Sequence, residues 1–140
     1  MVTVAYIDGG SRGNPGPAGF GVRIEAEDAT LIAELHGALG VATNNVAEYN
    51  GLLAALRWAA AHGASPLEIR SDSLLLVNQM LGVYRVKNPG LQPLFQEARS
   101  LVARVGRVRF QHVRRELNTE ADRLANQAMD DDAGRGSDPA

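Results

Sequence analysis

Cysteine is absent from this chain of 140 residues. That excludes disulfides, thiolate metal sites and a cysteine nucleophile. Tryptophan occurs once, as Trp58, inside a stretch of helical periodicity where it reads as a packing residue. Lysine also occurs once, as Lys87, so nearly all of the 14 basic residues are arginine, the side chain suited to bidentate phosphate contacts. Positive charge is not in excess. The net charge of −2 announces no bulk field for nucleic acid, although a local groove matters more than the sum. No apolar run approaches a membrane span. The N-terminus has no basic segment followed by a long apolar one, so no signal peptide is expected and the cytoplasm is the default compartment.

What is present is the make-up of a soluble globular domain with a core: 45% hydrophobic and 21% charged residues. Residues 2–8 are apolar at nearly every position and predict a central strand covered on both faces. A glycine- and proline-rich turn, residues 9–17, follows. Residues 18–25 and 30–41 predict two more strands, giving an antiparallel meander. Thr43 or Asn44 caps a helix to about His62, with Val46, Tyr49, Leu53, Leu56 and Ala60 as its core stripe. Residues 67–71 predict a fourth strand and 74–81 a short helix. Leu91, Leu94, Phe95, Ala98, Leu101, Val102 and Val105 then mark one helical face. Residues 107–113 alternate as a fifth strand. Asn118 or Thr119 opens a last helix ending near Met129. Residues 1–129 are thus expected to form one α/β domain, a five-stranded mixed sheet flanked by helices. Residues 130–140 are expected to be a disordered tail.

Acidic residues stand at the ends and beginnings of these elements. Asp8 ends the first strand and Asp72 the fourth; Glu48 lies early in the long helix, off its core stripe; Asp122 lies at the start of the last helix. Taken singly, each reads as a turn residue, a helix cap or a solvated helix charge. Were the first and fourth strands adjacent and parallel, Asp8 and Asp72 would project from one sheet edge, where ligands of open α/β sheets bind. Gathered carboxylates repel one another and resist desolvation, and hard divalent cations such as Mg²⁺ or Mn²⁺ relieve both.

The surroundings of each acid resemble the type 1 ribonuclease H family. The segments are Tyr6-Ile7-Asp8-Gly9-Gly10-Ser11-Arg12-Gly13-Asn14-Pro15-Gly16-Pro17, then Thr43-Asn44-Asn45-Val46-Ala47-Glu48, Ser71-Asp72-Ser73, and Asn118-Thr119-Glu120-Ala121-Asp122-Arg123-Leu124-Ala125. They occur in the family's order across residues 2–129. The pattern is most similar to compact bacterial and archaeal members, including ribonuclease H domains fused to a phosphatase; the chain is not long enough to hold that second domain.

The resemblance implies the ribonuclease H fold. It also implies endonucleolytic hydrolysis of the RNA strand of RNA–DNA hybrids, leaving 3′-hydroxyl and 5′-phosphate ends. Asp8, Glu48, Asp72 and Asp122 are its implied catalytic metal ligands, holding two Mg²⁺ (or Mn²⁺) ions with substrate. It further implies that Gly9, Gly10, Ser11 and Arg12, with Glu48, read the 2′-hydroxyl. Asn14, Asn44 and Asn45 would contact groove edges, and Thr43 a DNA phosphate. The expected partner is the hybrid alone, bound by a monomer.

The chain departs from the family pattern in two places. The loop before the last helix, Val113-Arg114-Arg115-Glu116-Leu117-Asn118, has no histidine where many members carry one. Arg114 or Arg115 could hold a phosphate instead, and a solvated charged loop is the alternative. His112 is in phase with Val108 and Phe110 and is expected to be packed or half-buried. The basic, tryptophan-bearing protrusion of some relatives is replaced by residues 82–90, where Arg85 and Lys87 would be minor phosphate contacts. Two other functions stay open: a module that binds hybrid or double-stranded RNA without cutting, and a DNA nuclease of related fold.

Overall fold

The computed structural model describes residues 1–136. Strands β1 (Thr3–Ser11), β2 (Gly16–Glu25) and β3 (Leu31–Ala42) precede helix α1 (Asn44–His62). Strand β4 (Leu67–Ser71), helices α2 (Leu74–Met80) and α3 (Gln92–Val105), strand β5 (Val108–His112) and helix α4 (Thr119–Gly136) follow, with a 3-10 turn at Arg115–Leu117. The sheet order is β3-β2-β1-β4-β5. β1 and β2 pair antiparallel, as do β2 and β3, whereas β4 adds parallel to β1 and β5 parallel to β4. This is the mixed sheet expected from the element order.

The register puts alternate residues of each strand on opposite faces. Ala5 and Ile7 of β1, Val22 and Ile24 of β2, and Leu67 and Ile69 of β4 bury one face against Leu52, Leu53 and Leu56 of α1 and Ala98 and Leu101 of α3. Leu56 is fully buried, a site where a leucine contributes about 2 kcal/mol. Burial on α1 extends beyond one stripe to Ala47, Gly51, Ala55 and Ala59, because the helix lies between the sheet and α3. Its ends are fixed locally. The Thr43 side chain accepts from the Val46 N–H at 3.2 Å, and Gly63 takes the left-handed conformation, φ 62°.

The opposite face is covered by α4, through small residues. A Cβ on Gly21 would collide with the Ala121 carbonyl and the Ala125 nitrogen, and one on Gly19 would press on Met129 and Ala128. Glycine in β2 and alanine in α4 are what permit this close approach.

Two expectations need correction. α4 does not stop near Met129 but runs through Gly136, so residues 130–136 are helical and not a disordered tail. Arg12 anchors the extension by an ion pair to Asp130 at 2.6 Å. The remainder of the expected tail, 137–140, lies outside the described residues. His112 is exposed, although it keeps the expected strand phase with Val108 and Phe110, which are half-buried. β5 is an edge strand, with a neighbour on one side only.

Candidate active site

β1 and β4 are parallel neighbours, and the last register pair between them is Ile7 with Ser71. The next residue in each chain segment is an aspartate: Asp72 lies just past β4, whereas Asp8 does not end β1 as expected but stays in it, paired with Gly21 of β2, because the strand runs on to Ser11. α1 brings Glu48 to them. A Cβ on Gly9 would fall on the backbone of Ala47 and Glu48, so glycine at this position lets the helix settle directly over β1.

Carboxylate oxygens of Asp8, Glu48 and Asp72 lie within 4.8 Å of one another. Asp8 is 8% exposed. Burial, followed by the charges of Asp72 and Asp122, pushes its carboxyl from 3.8 to about 8. The Glu48 carboxyl is held well above the ordinary range, first by burial and then by Asp8 and Asp72, while Arg115 acts in the opposite sense. Its Oε2 is buried without a hydrogen-bond partner. Three acids that cannot all ionise comfortably, with one buried oxygen unsatisfied, fit a divalent cation with hard oxygen ligands. Asp122 is exposed and outside the three-carboxylate group, yet it acts on Asp8 and faces the same cavity.

That cavity has a volume of about 480 Å³. Beyond the four acids it is lined by Gly9, Gly10, Ser11 and Arg12 of β1 and its turn, Asn44 at the start of α1, and Arg115 from the 3-10 turn. It joins a cluster of oxygen ligands to a row of backbone groups, a layout that can hold a cation beside an extended anionic substrate.

Comparison with known proteins places the chain in a family. The family model described as reverse transcriptase-like matches residues 6–128. A ribonuclease H of Jannaschia sp. is 33% identical, with 90% of each chain covered. The crystal structure of ribonuclease H1 from Halobacterium salinarum superposes with a TM-score of 0.89 at 42% identity, covering 94% of this chain and 99% of that one.

This chain belongs to the ribonuclease H family.

The N-terminal ribonuclease H domain of Rv2228c from Mycobacterium tuberculosis, solved as a fusion with maltose-binding protein, superposes with a TM-score of 0.93 at 46% identity, over 98% of this chain and 99% of that one. The complete Rv2228c is described as a bifunctional protein, and this chain spans 40% of its length. LC11 ribonuclease H1, solved in complex with an RNA/DNA hybrid, gives 0.90 at 42% identity, over 94% of this chain and 99% of that one.

Several residues expected at a ribonuclease H site have other occupations. The Asn44 side chain accepts from the Ser11 N–H at 2.8 Å, and the Asn14 side chain accepts from the Asn44 N–H at 3.1 Å. The two asparagines thereby brace the glycine-rich turn against α1. Thr43 caps α1 through its hydroxyl. Asn45 is exposed on the first turn. Arg12 pairs with Asp130 and also donates to Asn126 at 3.4 Å. Arg115 reaches the cavity, whereas Arg114 precedes the 3-10 turn and does not line it. Lys87 lines a separate groove of about 910 Å³ with Tyr84, Arg85, Pro89 and Phe95.

One residue was read only as a helix cap. Asn118 is 1% exposed, and its Nδ2 donates to the Ile7 carbonyl at 2.8 Å and to Asp72 Oδ2 at 3.4 Å. Its burial depends on the contact with Ile7, 111 positions away, which no local pattern around Asn118 reports.

Proposed function

We propose that this domain is an endonuclease that hydrolyses the RNA strand of RNA–DNA hybrids with divalent metal ions, leaving 3′-hydroxyl and 5′-phosphate ends. The observation that carries this reading is the convergence of Asp8, Glu48 and Asp72 within 4.8 Å, at one end of a groove lined by the Gly9–Arg12 backbone. The hybrid-bound LC11 relative supports the substrate class.

Asp8, Glu48 and Asp72 would hold the ions, with Asp122 on the open side. Bound there, two Mg²⁺ or Mn²⁺ ions would supply an activated water and stabilise the departing 3′-oxygen. The chain's own groups do the rest. The Glu48 carboxylate and the cavity-lining segment Gly9, Gly10, Ser11 and Arg12 would meet the ribose and hydrogen-bond its 2′-hydroxyl, the group that separates RNA from DNA. Arg115 offsets the negative charge at Glu48 and presents a guanidinium to the phosphate being cut. Arg114, exposed beside it, meets a neighbouring phosphate. Asn14 and Asn44 hold the turn in place, and Asn44 and Asn45 offer amides to the groove edges. The Thr43 end of α1 receives a phosphate of the DNA strand. Lys87 and Arg85 extend the phosphate track along the second groove.

The test is cleavage of end-labelled hybrid, RNA duplex and DNA duplex side by side, with Mg²⁺ or Mn²⁺. The RNA strand of the hybrid should be cut and the DNA duplex left intact. Hybrid binding without cleavage would make the domain a binding module, and equal cutting of the DNA duplex would make it a DNA nuclease.

A further inference from the structure

Asn118 stands where three of the four acid-bearing elements meet. Its side-chain amide reaches Ile7, the residue before Asp8, across 111 positions of sequence, and the same Nδ2 reaches the Asp72 carboxylate. Its backbone carbonyl accepts from the Asp122 N–H at 3.1 Å. The location explains the first contact. β1 and β4 pair only as far as Ile7 and Ser71. Beyond that point the ladder has no further strand residue to offer, and Asn118 supplies a donor there.

The amide orientation follows from its partners. Both neighbours of Nδ2 are acceptors, a carbonyl and a carboxylate, so the NH₂ group must face them. That leaves Oδ1 buried with no partner. A residue selected only to fill space would not carry this penalty, since leucine is close to the same size and has no polar atom to leave unmet. The amide is kept although one of its atoms goes unsatisfied, which points to what Nδ2 does.

We propose that Asn118 is a positioning residue that fixes the separation of Asp8 and Asp72, and so the capacity of the site to hold its ions. Oxygens of Asp8 and Asp72 lie within 4.8 Å, and Asp72 follows the last residue of β4, so no ladder bond of its own strand holds it in place. A donor bonded to the β1 backbone on one side and to Asp72 on the other supplies that restraint. It does so without a positive charge that would compete with a cation. Through its carbonyl, the same residue sets where α4 begins and hence the height of Asp122. Groups that orient metal ligands in this way are worth 10- to 100-fold in metal affinity or rate. The inference rests on the metal-nuclease reading above.

Asn118→Ala and Asn118→Asp are compared with the unaltered protein by three measurements: calorimetric titration with Mn²⁺ alone, thermal unfolding, and kcat and KM on the hybrid well below the unfolding midpoint. Asn118→Ala should weaken Mn²⁺ binding about 10-fold or more and lower kcat about 10- to 100-fold, with KM for the hybrid within about 2-fold. Asn118→Asp keeps the volume but loses the donor, and its kcat should fall at least as far as that of the alanine variant. If Asn118 is only structural, both variants lower the unfolding midpoint while Mn²⁺ affinity and the kcat of the folded protein stay unchanged, and the proposal is overturned. Should the unaltered protein neither bind Mn²⁺ nor cut the hybrid, the nuclease reading fails and this one with it. Normal binding and cleavage in both the unaltered and the alanine protein sink this one alone.

Discussion

Gly9 lies directly beneath the backbone nitrogen of Glu48, too close for any side chain to stand between them. A tight backbone approach in the sheet is therefore what delivers an acid carried by a helix. Gly9→Ala should push the first turns of α1 away from β1. Such overpacking costs roughly 1–3 kcal/mol. Cleavage should fall more steeply than stability, because Glu48 moves relative to Asp8. Chemical denaturation and hybrid cleavage of the same preparation check this. Stability and rate both equal to those of the unaltered protein would contradict it.

Without metal, the carboxylate cluster makes stability depend on pH. The Asp8 carboxyl sits near 8 in the folded protein against 3.8 ordinarily, so between those values the folded state binds more protons than the unfolded one. Its contribution is complete below about pH 4 and is lost as the pH rises through about 8. Glu48, also raised, acts in the same sense. Asp28, lowered by its bonds to Thr30, acts oppositely but below this window. Thermal unfolding in a chelator should show a midpoint that falls from pH 5 to pH 8, by an amount on the order of a few kcal/mol in stability. Asp8→Asn should flatten that slope, and added Mg²⁺ should reverse it. A midpoint that rises across this range would rule out the assignment.

Arg115 acts on Glu48 from the rim of the cavity, without being one of the oxygen ligands. Arg115→Ala should slow cleavage by about 10-fold or more, the scale expected for a lost charge-assisted contact to phosphate, while Mn²⁺ affinity changes little. Arg114→Ala, removing an exposed arginine that does not line the cavity, should have the smaller effect on rate. Single-turnover kinetics and metal titration separate the two arginines. An unaltered rate for Arg115→Ala would return that side chain to the solvated loop.

Most of the architecture was legible because its signals are local. The Thr43 cap, the Gly63 stop and the apolar β1 are each written within a few residues, and the structure keeps them. The site was legible because Asp72 directly follows β4 and Asp122 lies in the first turn of α4, although β1 runs past Asp8 to Ser11, the Gly9-Gly10 pair having read as a turn. What escaped detection depends on contacts between distant residues. The three aspartates at 130–132 look unfavourable at the end of a helix, where the dipole disfavours anions. Nothing near them in sequence reveals that Arg12 compensates Asp130. The exposure of His112 follows from β5 being at the sheet edge, which strand alternation alone does not report. Asn14 and Asn44 were read as reaching outward, but their first partners are backbone N–H groups of the protein itself. Asn118 looked like a cap because its bond to Ile7 spans 111 positions.

The Arg12–Asp130 pair is half-exposed at both ends, so Asp130→Ala should cost below about 1 kcal/mol in global stability. Its effect should instead be local. Amide exchange in residues 130–136 should speed up while the β1–β2 ladder keeps its protection. Uniform loss of protection would show that the helix extension bears on the whole fold.

The central claim is that Asp8, Glu48 and Asp72 converge in order to hold cations. Anomalous diffraction from crystals soaked in Mn²⁺ tests it most directly. The account predicts a manganese peak among the oxygens of these three residues, lost in Asp8→Asn. Manganese found only elsewhere on a protein that still cuts the hybrid would contradict it.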